Sequence, residues 1–266
     1  MSKERVAVMD ADIFVYKVAQ AAMREVMFDE YCISIGDKAE AIVALDNWFT
    51  SVCTKINADR MILAFTGSSN YRKIIWPEYK THRKDKKPYL VKELRDYCES
   101  NTKYNCITVD NLEADDLVGK FMTKPSKDIE YIGVSEDKDL CGVPGALFNP
   151  AKDTLIQRTD FGDAVEFFYN QVLTGDTSDG YKGVPGCGPV KAAKYIGEAR
   201  RESEGDWEFI TKGWETIVKV YEKSGLGFSE AQENASMAKI LWYKEEAGEF
   251  NKFKLQDYWR KIKNAN

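Results

Sequence analysis

The sequence predicts an α/β protein with a mostly parallel central sheet, flanking helices and a C-terminal helical region. Short apolar runs alternate with segments of helical periodicity over about the first 160 residues, as in parallel strands joined by crossover helices. Acidic residues follow several of these runs, where the strands are predicted to end. Open α/β sheets usually carry their chemistry at that edge, so the pattern also predicts where a functional site lies.

Four apolar runs are predicted to form the strands, and the segments between them supply the helices. The runs are Arg5–Met9, Arg60–Phe65, Cys106–Val109 and Ile129–Val134. Residues 37–57 carry apolar side chains at helical spacing between the first two runs. This order predicts crossover connections and therefore parallel strands.

The second part of the chain is predicted to be mainly helical. It is interrupted by one turn rich in glycine and proline, Gly183–Pro189, with no comparable break before residue 225. We therefore predict an α/β domain over residues 1–160 and a helical region over residues 161–266. Since no long linker separates them, the two parts are expected to share an interface.

Composition excludes several classes of protein and of site. No apolar run reaches the ~18–20 residues that span a bilayer, and the charged N-terminus does not resemble a signal peptide. The six cysteines form no CxxC pair, which indicates free thiols in a reducing compartment. His82 is the single histidine, which argues against histidine metal sites and a Ser-His-Asp triad. Any hydrolysis would then depend on carboxylates.

Charge is strongly segregated along the chain. Nine carboxylates occupy four clusters, at Asp10/Asp12, Glu113–Asp116, Asp137/Asp139 and Asp176/Asp179. Removing nine negative charges from the net charge of −5 leaves +4, and residues 71–92 hold eight Lys/Arg against two acids. Each cluster alone is explained by helix capping or a solvated turn. Together at one sheet edge they would repel, unless hard divalent cations such as Mg²⁺ or Mn²⁺ bind there.

The order and spacing of these motifs resemble the 5′ nuclease family, which includes flap endonucleases, the 5′-nuclease domains of bacterial DNA polymerase I and phage 5′→3′ exonucleases. The similarity runs through Leu112–Asp116, Ser135–Leu140, Thr174–Asp179 and the turn Gly183–Ala193, and it is greatest to the short phage exonucleases. Residues 71–84 resemble the basic arch of that family. The resemblance implies a divalent-metal-dependent 5′→3′ exonuclease or structure-specific 5′ nuclease in phage DNA replication or genome processing, acting in the bacterial host cytoplasm.

The resemblance also assigns residues. It implies two Mg²⁺ or Mn²⁺ ions, one held by Asp10, Glu113, Asp115 and Asp116, the other by Asp137, Asp139, Asp176 and Asp179. Lys80 and Arg83 match the catalytic arch positions, with Tyr79 able to stack on the terminal base. The chain departs from many family members at Thr66–Gly67, where they carry an aspartate; Asp12 is a candidate to replace its charge.

The implied partner is DNA with a 5′ end, whether duplex, nicked or flapped, with RNA in RNA–DNA hybrids left open. Glycines of the turn let backbone N–H groups approach a phosphate, and a helix is expected to begin near Pro189. In the family this helix-hairpin-helix, here about residues 183–194, often holds a K⁺ ion. No membrane and no obligate protein partner are inferred. The predicted DNA-binding residues are Arg72, Lys73, Tyr79, Lys84, Gly183, Gly186, Gly188, Lys191 and Lys194.

Two other functions remain open at this point. An apolar strand followed by Asp10-Ala-Asp12 also resembles haloacid-dehalogenase-type phosphatases, in which Asp10 would be the covalent nucleophile. That interpretation leaves Glu113–Asp116 and the hairpin at 183–194 unexplained. A non-catalytic DNA-binding module is the other alternative. For the basic segment 71–92, Trp76-Pro77 and Lys87-Pro88 predict interruptions of any continuous helix and a mobile segment that orders around a DNA end.

Overall fold

A computed structural model describes residues 3–28, 31–82, 87–152 and 155–247. Its centre is a six-stranded sheet in the order β5-β4-β1-β6-β7-β8. All neighbouring strands in it are parallel except β7 and β8, which are antiparallel. The strands are β1 (Glu4–Asp10), β4 (Arg60–Thr66), β5 (Cys106–Val109), β6 (Ile129–Val134), β7 (Gly145–Phe148) and β8 (Gln157–Thr159). The predicted fold class is confirmed.

The sheet is covered on both faces, and β1 shows why. Val6 and Val8 point into one hydrophobic cluster, whereas Ala7 and Met9 point into another, because successive side chains of a strand lie on opposite faces. Helices α1 (Ala11–Ala22), α2 (Lys38–Ile56) and α4 (Leu90–Ser100) cover the second face. A strand buried on both faces has a continuous run of apolar residues in its sequence, and this run is what predicts β1.

The first face is covered by α5 (Ala114–Met122) and by C-terminal helices. These are α6 (Phe161–Thr174), α7 (Pro189–Arg201), α8 (Asp206–Lys223) and α9 (Phe228–Ala238). One hydrophobic cluster contains residues from β1, β4 and α5 together with residues from these four helices. The helical part is thus packed onto the sheet, while the division at residue 160 stays a prediction about domains.

Several elements were not predicted from the sequence. A hairpin, β2 (Met23–Phe28) and β3 (Tyr31–Gly36), forms a separate two-stranded sheet. Helix α1 begins directly after β1, so Asp12 lies in its first turn and does not continue the strand. Asp10, the last residue of β1, and Asp12 therefore belong to different elements.

The basic segment is interrupted where the prolines predict it. Helix α3 (Tyr71–Ile75) ends before Trp76-Pro77, and α4 begins at Leu90, after Pro88. Residues 83–86 lie outside the described part of the chain, so the mobility expected of this segment stays a prediction. Among the described helices, none is both long and apolar enough to cross a membrane.

Candidate metal centre

The carboxylates lie where strands of the central sheet end. Asp10 is the last residue of β1, and Asp137 follows the neighbouring strand β6 through Ser135. Asp115 lies in the first turn of α5, which follows β5. The carboxyl group of Asp10 shares a hydrogen bond with Asp115 and feels the charge of Asp137. Three of the four predicted clusters therefore converge at one edge of the sheet.

Asp10 is buried at the centre of this group. Ser135 Oγ donates a hydrogen bond of 3.0 Å to Asp10 Oδ2. Burial, with the nearby charge of Asp12, raises the pKa of Asp10 from 3.8 to about 7. Burial and the charges of Asp10 and Asp137 likewise raise the pKa of Asp115. Both shifts have the sign expected of carboxylates held together out of water.

The second half of the site consists of a 3₁₀ helix and a loop. Asp137 caps the 3₁₀ helix Lys138–Gly142, and its Oδ1 accepts from Asp139 N–H at 2.9 Å. Burial and the charge of Asp137 raise the pKa of Asp139 to about 6. Asp176 Oδ2 accepts from Lys138 Nζ at 3.0 Å. Burial opposes ionisation of Asp176, but hydrogen bonds from Ser178 and Lys138 outweigh it and lower its pKa.

Glu113 differs from these groups because cations and a hydroxyl surround it. Its carboxylate accepts from Arg72 Nη1 at 2.9 Å, Tyr79 Oη at 2.8 Å and Lys80 Nζ at 2.8 Å. Burial opposes ionisation here too, but the positive charges of Arg72 and Lys80 lower the pKa of Glu113 to about 2. Glu113 is thus a fixed anion that orients residues of the basic segment over the site.

Tyr79 and Lys80 lie inside the site, and their placement corrects one prediction. Tyr79 is only 1% exposed, and its hydroxyl lies 2.8 Å from Glu113 and 3.0 Å from Asp179. A buried ring cannot stack on a DNA base, so that role for Tyr79 is wrong for this arrangement. Lys80 Nζ lies 3.7 Å from Asp179 Oδ1 as well as close to Glu113, so its ammonium group lies between two carboxylates of the site, and its catalytic role stays a prediction.

Asp116 and Arg72 form a buried ion pair, which contradicts the roles predicted for both. Asp116 is 0% exposed, and its two oxygens accept from Arg72 Nη1 and Nη2 at 2.8 and 2.9 Å. They also accept from the N–H groups of Glu113 and Leu241. Neither oxygen is left for a metal ion. Arg72 is 3% exposed and therefore does not contact DNA here.

The same arginine connects three parts of the chain. Besides Asp116 and Glu113 on α5, Arg72 donates to the backbone oxygens of Met237 and Lys239, at 3.0 Å from Nε and 2.7 Å from Nη2. It thereby joins the base of the basic segment to the metal-site helix and to the segment after α9. Its function is structural, and its pairing with Asp116 has no signal in the sequence.

Asp12 and Thr66 occupy the position where the chain departs from its relatives. Thr66 N–H donates to Asp12 Oδ2 at 2.9 Å, and Thr66 Oγ1 accepts from Ala114 N–H at 3.1 Å. Thr66 therefore links the end of β4 to α1 and to the start of α5. Asp12 adds negative charge next to Asp10, and its replacement of the missing aspartate's charge stays a prediction.

The loop 175–188 presents Asp176 and Asp179, and two glycines make its shape possible. Gly175 and Gly183 both have positive φ angles, of 69° and 61°. A Cβ on Gly183 would lie 2.3 Å from Gly175 N, so both positions require glycine. Gly183 N–H donates to Asn234 Oδ1, and the group is therefore not free for a phosphate. The predicted DNA contact at Gly183 is wrong, and this glycine shapes the loop.

The rest of the hairpin has the predicted form. Helix α7 begins at Pro189 with Gly188 as its N-cap. Gly186 and Gly188 are exposed, with no atom close to where a Cβ would lie. Lys191 Nζ donates to Gly186 O at 2.9 Å. Lys73, Lys191 and Lys194 are exposed, as DNA contact requires, whereas Arg83 and Lys84 lie outside the described residues.

Two buried oxygens show that the acidic group fits a cation. Asp115 Oδ1 and Asp139 Oδ1 are buried and accept no hydrogen bond within the described residues, although buried polar atoms normally find a partner. In the described part of the chain, no group of three or more acidic, histidine or cysteine side chains is already arranged as a complete set of metal ligands. Mg²⁺ suits such a site, because it uses one or two carboxylates and keeps several waters.

Sequence reasoning missed two residues that organise the site. Ser135 Oγ accepts from Asp137 N–H at 3.1 Å and donates to Asp10, so one hydroxyl links two of the clusters. Lys138 bridges Asp139 and Asp176. Both lie inside a motif noted for its carboxylates, and their polar side chains next to acids were the available signal.

Comparison with known proteins identifies the family of the chain. Residues 5–154 match the family model described as 5′–3′ exonuclease, N-terminal resolvase-like domain. The chain is 28% identical over 272 residues to the exodeoxyribonuclease of Enterobacteria phage T3 and to the exonuclease of Escherichia phage T7. Both alignments cover 90% of this chain, with 88% of the T3 protein and 89% of the T7 protein.

Solved structures show the same fold at lower identity. The T5 5′-exonuclease with bound zinc ions matches with a TM-score of 0.56 at 14% identity, covering 89% of this chain and 99% of that one. The bacteriophage T5 D15 flap endonuclease, in a complex with DNA and metal ions, matches with a TM-score of 0.56 at 13% identity, covering 88% and 99%. Because the family model spans more than half of the sequence, the chain belongs to the 5′–3′ exonuclease family and is a 5′ nuclease, a phosphodiester hydrolase.

Proposed function

We propose that this protein is a divalent-metal-dependent 5′→3′ exodeoxyribonuclease or structure-specific nuclease that cleaves DNA at or near 5′ ends. The observation that carries the proposal is the buried acidic group at the sheet edge, in which Asp115 Oδ1 and Asp139 Oδ1 accept no hydrogen bond within the described residues. The membership of the chain in the 5′–3′ exonuclease family supports the polarity. The phage relatives support a role in phage DNA replication or genome processing.

Two Mg²⁺ or Mn²⁺ ions are the proposed cofactors. Asp10 and Asp115 would hold one of them, beside the fixed anion Glu113, and Asp137, Asp139, Asp176 and Asp179 would hold the other. Such ions supply an activated water and stabilise charge on the phosphate and the leaving oxygen. Asp116 is excluded from both sets because Arg72 and backbone N–H groups occupy its oxygens.

The protein's own residues would prepare the substrate. Lys80 would bring its ammonium group to the phosphate beside the carboxylates, with Arg83 as the second cation of the basic segment. Glu113 holds Lys80 Nζ at 2.8 Å, so this cation is already directed toward the site before DNA arrives. A cation placed at the reacting phosphate stabilises the charge that develops in the transition state.

The hairpin at about 183–194 is the proposed grip on duplex DNA. Gly186 and Gly188 offer exposed backbone, and Lys191 and Lys194 project from the first turns of α7. Contacts to phosphates fix position without reading sequence. The implied K⁺ ion would have to replace the Lys191 ammonium at Gly186 O. RNA in RNA–DNA hybrids is a further candidate substrate for the same backbone contacts.

The two alternative functions are disfavoured by what surrounds Asp10. A haloacid-dehalogenase-type phosphatase would use Asp10 as its covalent nucleophile, and that role leaves Glu113–Asp116 and the hairpin at 183–194 unexplained. Neither that enzyme nor a passive DNA-binding module accounts for the convergence of Asp115 and Asp137 on Asp10. Digestion of 5′-labelled blunt, nicked and flapped duplexes with Mg²⁺, resolved by product length, tests the proposal. Intact DNA in every lane would refute it.

Lys80→Ala should lower kcat far more than duplex affinity. The ammonium group is held at the carboxylates and contributes little surface charge, so its loss affects the reacting phosphate. We expect a fall in kcat of at least about 10-fold, with a Kd for duplex DNA within about twofold of the unaltered protein, as expected for a transition-state contact. Single-turnover cleavage and equilibrium binding measure the two quantities.

Lys92→Ala is the matched control for Lys80, since Lys92 belongs to the same basic segment and its side chain is 86% exposed. The kcat of Lys92→Ala should equal that of the unaltered protein. If Lys80→Ala weakens affinity and leaves kcat at saturation unchanged, the residue acts as ordinary surface charge.

Lys191→Ala should weaken duplex binding about equally across sequences. Loss of one phosphate contact lowers the slope of log K against log salt by about 0.9. Fluorescence anisotropy with two unrelated duplexes at several salt concentrations measures the slope. An unchanged slope, or a loss confined to one sequence, would contradict the hairpin as a backbone grip.

The raised pKa values predict that stability without metal falls as the pH rises. A carboxyl group with a higher pKa in the folded chain stabilises the fold while protonated, and this contribution is lost as pH rises through the folded pKa. The stability contributed by Asp10 is lost between pH 3.8 and about pH 7, and that contributed by Asp139 between pH 3.8 and about pH 6. Glu113 does not offset this loss of stability. Its pKa is lowered to about 2, so its own stabilising contribution is already complete above pH 4.5.

In EDTA we therefore expect Tm to fall between about pH 4 and pH 7. Saturating Mg²⁺ should remove most of that fall, because the ion binds the deprotonated carboxylates and neutralises them. Thermal unfolding followed by circular dichroism measures both curves. A Tm that rises over this range in EDTA would contradict the assignment of Asp10 and Asp139 as suppressed carboxylates.

A further inference from the structure

Each half of the acidic site contains one lysine ammonium group between two carboxylates. Lys80 Nζ lies 2.8 Å from Glu113 Oε1 and 3.7 Å from Asp179 Oδ1. Lys138 Nζ lies 3.0 Å from Asp176 Oδ2 and 3.7 Å from Asp139 Oδ1. Both lysines thus occupy the space between groups that are proposed to surround the divalent ions.

The two bridges share one geometry. In each, one carboxylate belongs to an element at the sheet edge, Glu113 on α5 or Asp139 on the 3₁₀ helix. The other carboxylate belongs to the loop 175–188, which packs against the basic segment through a hydrogen bond from Lys80 N–H to Asp179 O. The ammonium groups therefore tie the loop to the sheet edge, which is the task that shared metal ions would perform.

The side chains of Lys80 and Lys138 are also able to move away from the carboxylates. Lysine carries a compact charge on a flexible stem, and the Lys138 side chain is 68% exposed while its ammonium reaches a buried carboxylate. Lys138 can therefore turn into solvent without a change in the backbone. The Lys80 side chain is 20% exposed, so its flexible stem also reaches solvent.

We propose that Lys80 and Lys138 are resident cations, which hold the acidic site together without metal and leave the carboxylates when divalent ions bind. The inference rests on the proposed metal centre and adds a competition to it. A cation that must be displaced weakens metal binding by its own interaction energy, and the weakening is reciprocal. Metal loading would then free two ammonium groups beside the ions, where an anionic DNA phosphate can use them.

Calcium titration without DNA tests the competition directly. The variants are Lys138→Gln, Lys80→Gln and the control Lys219→Gln, which removes the same charge from an exposed position on α8. By isothermal titration calorimetry we expect each site variant to bind Ca²⁺ about 10-fold more tightly than the unaltered protein, since removing a charge about 4 Å from the ion has an effect of at least this order. The control should match the unaltered protein.

Thermal unfolding separates displacement from a merely structural role. Without the ammonium group, Asp139 and Asp176 repel one another, so Lys138→Gln should unfold at a lower temperature than the unaltered protein in EDTA. Saturating Ca²⁺ should remove this difference. A deficit of equal size with and without Ca²⁺ would make the lysine purely structural and overturn the proposal.

Equal Ca²⁺ affinity in all four proteins would also overturn the competition while leaving the metal centre intact. If the unaltered protein binds no Ca²⁺, Mg²⁺ or Mn²⁺ at all, the proposed metal centre itself fails, and this inference fails with it.

Discussion

Asp137→Asn and Asp115→Asn should each lose at least ~10²-fold in the rate of DNA cleavage, the size of effect seen when a key charge-stabilising group is removed. Asparagine keeps the shape of aspartate, and at 137 it can still accept the capping hydrogen bond from Asp139 N–H. Only the negative charge is lost. Single-turnover cleavage in Mg²⁺ measures the effect, with duplex binding expected to stay within a few-fold.

Thermal stability gives a second test of these variants, because the cleavage rate should fall while Tm in EDTA should stay equal or rise. Besides burial, the charge of Asp137 raises the pKa of Asp10, and the charges of Asp10 and Asp137 raise the pKa of Asp115. Replacing Asp137 or Asp115 therefore removes one of these mutually repelling carboxylates and should leave Tm in EDTA equal or higher. Asp128→Asn is the matched control, an exposed residue directly before β6, and should change neither property. Near-normal cleavage by both site variants would contradict the acidic group as the catalytic centre.

Arg72→Met should destabilise the fold by about 3–5 kcal/mol, the usual result of removing one partner from a buried ion pair. The change leaves Asp116 fully buried with its charge uncompensated, and it breaks the contacts to Met237 and Lys239. Chemical denaturation measured at pH 7 gives the free energy of unfolding. Lys73→Met is the control, since Lys73 is exposed on the same short helix.

The double variant Arg72→Met/Asp116→Leu identifies the cause. If the loss in Arg72→Met comes from an unpaired buried charge, removing that charge as well should recover a large part of it. A double variant as unstable as the sum of the two single variants would mean that the pair itself contributes little coupling. A loss below about 1 kcal/mol in Arg72→Met, the range of exposed ion pairs, would contradict its burial.

The parallel sheet could be predicted because its inner strands carry an unambiguous signal. β1 and β6 are buried on both faces and read as apolar runs bounded by charge. The hairpin β2–β3 has no such run, since it mixes Arg24 and Glu25 with apolar residues, and Met27 and Ile35 are exposed. β7 and β8 have only four and three residues, too few for any periodicity to appear.

At the site, the sequence predicted which residues gather but not how their charges are shared. Asp115 and Asp116 are neighbours in one motif, yet one faces the acidic group and the other is paired with Arg72. That distinction follows from the helical turn of α5 and from a partner 44 residues away. The alternation of basic and aromatic residues predicts that Arg72 and Tyr79 are surface groups, whereas both are buried. Arg72 is hydrogen-bonded to Asp116 and to the backbone near the end of α9, and Tyr79 to Glu113 and Asp179.

The contacts of the glycines could not be predicted from the sequence either. The glycines of the turn predict close approach of backbone N–H groups to a phosphate. At Gly183, however, the partner is Gly175 of the same loop, because the contact joins positions eight residues apart that only the folded loop brings together.

The most direct test of the account is the release of label from a linear duplex, carried at the 5′ end in one sample and at the 3′ end in another. With Mg²⁺, we expect short labelled products from the 5′ end at early times while the 3′ label stays on long strands, and no products in EDTA. Asp137→Asn should remove both signals in Mg²⁺. Early loss of the 3′ label, or cleavage that persists in EDTA, would contradict a metal-dependent 5′ nuclease.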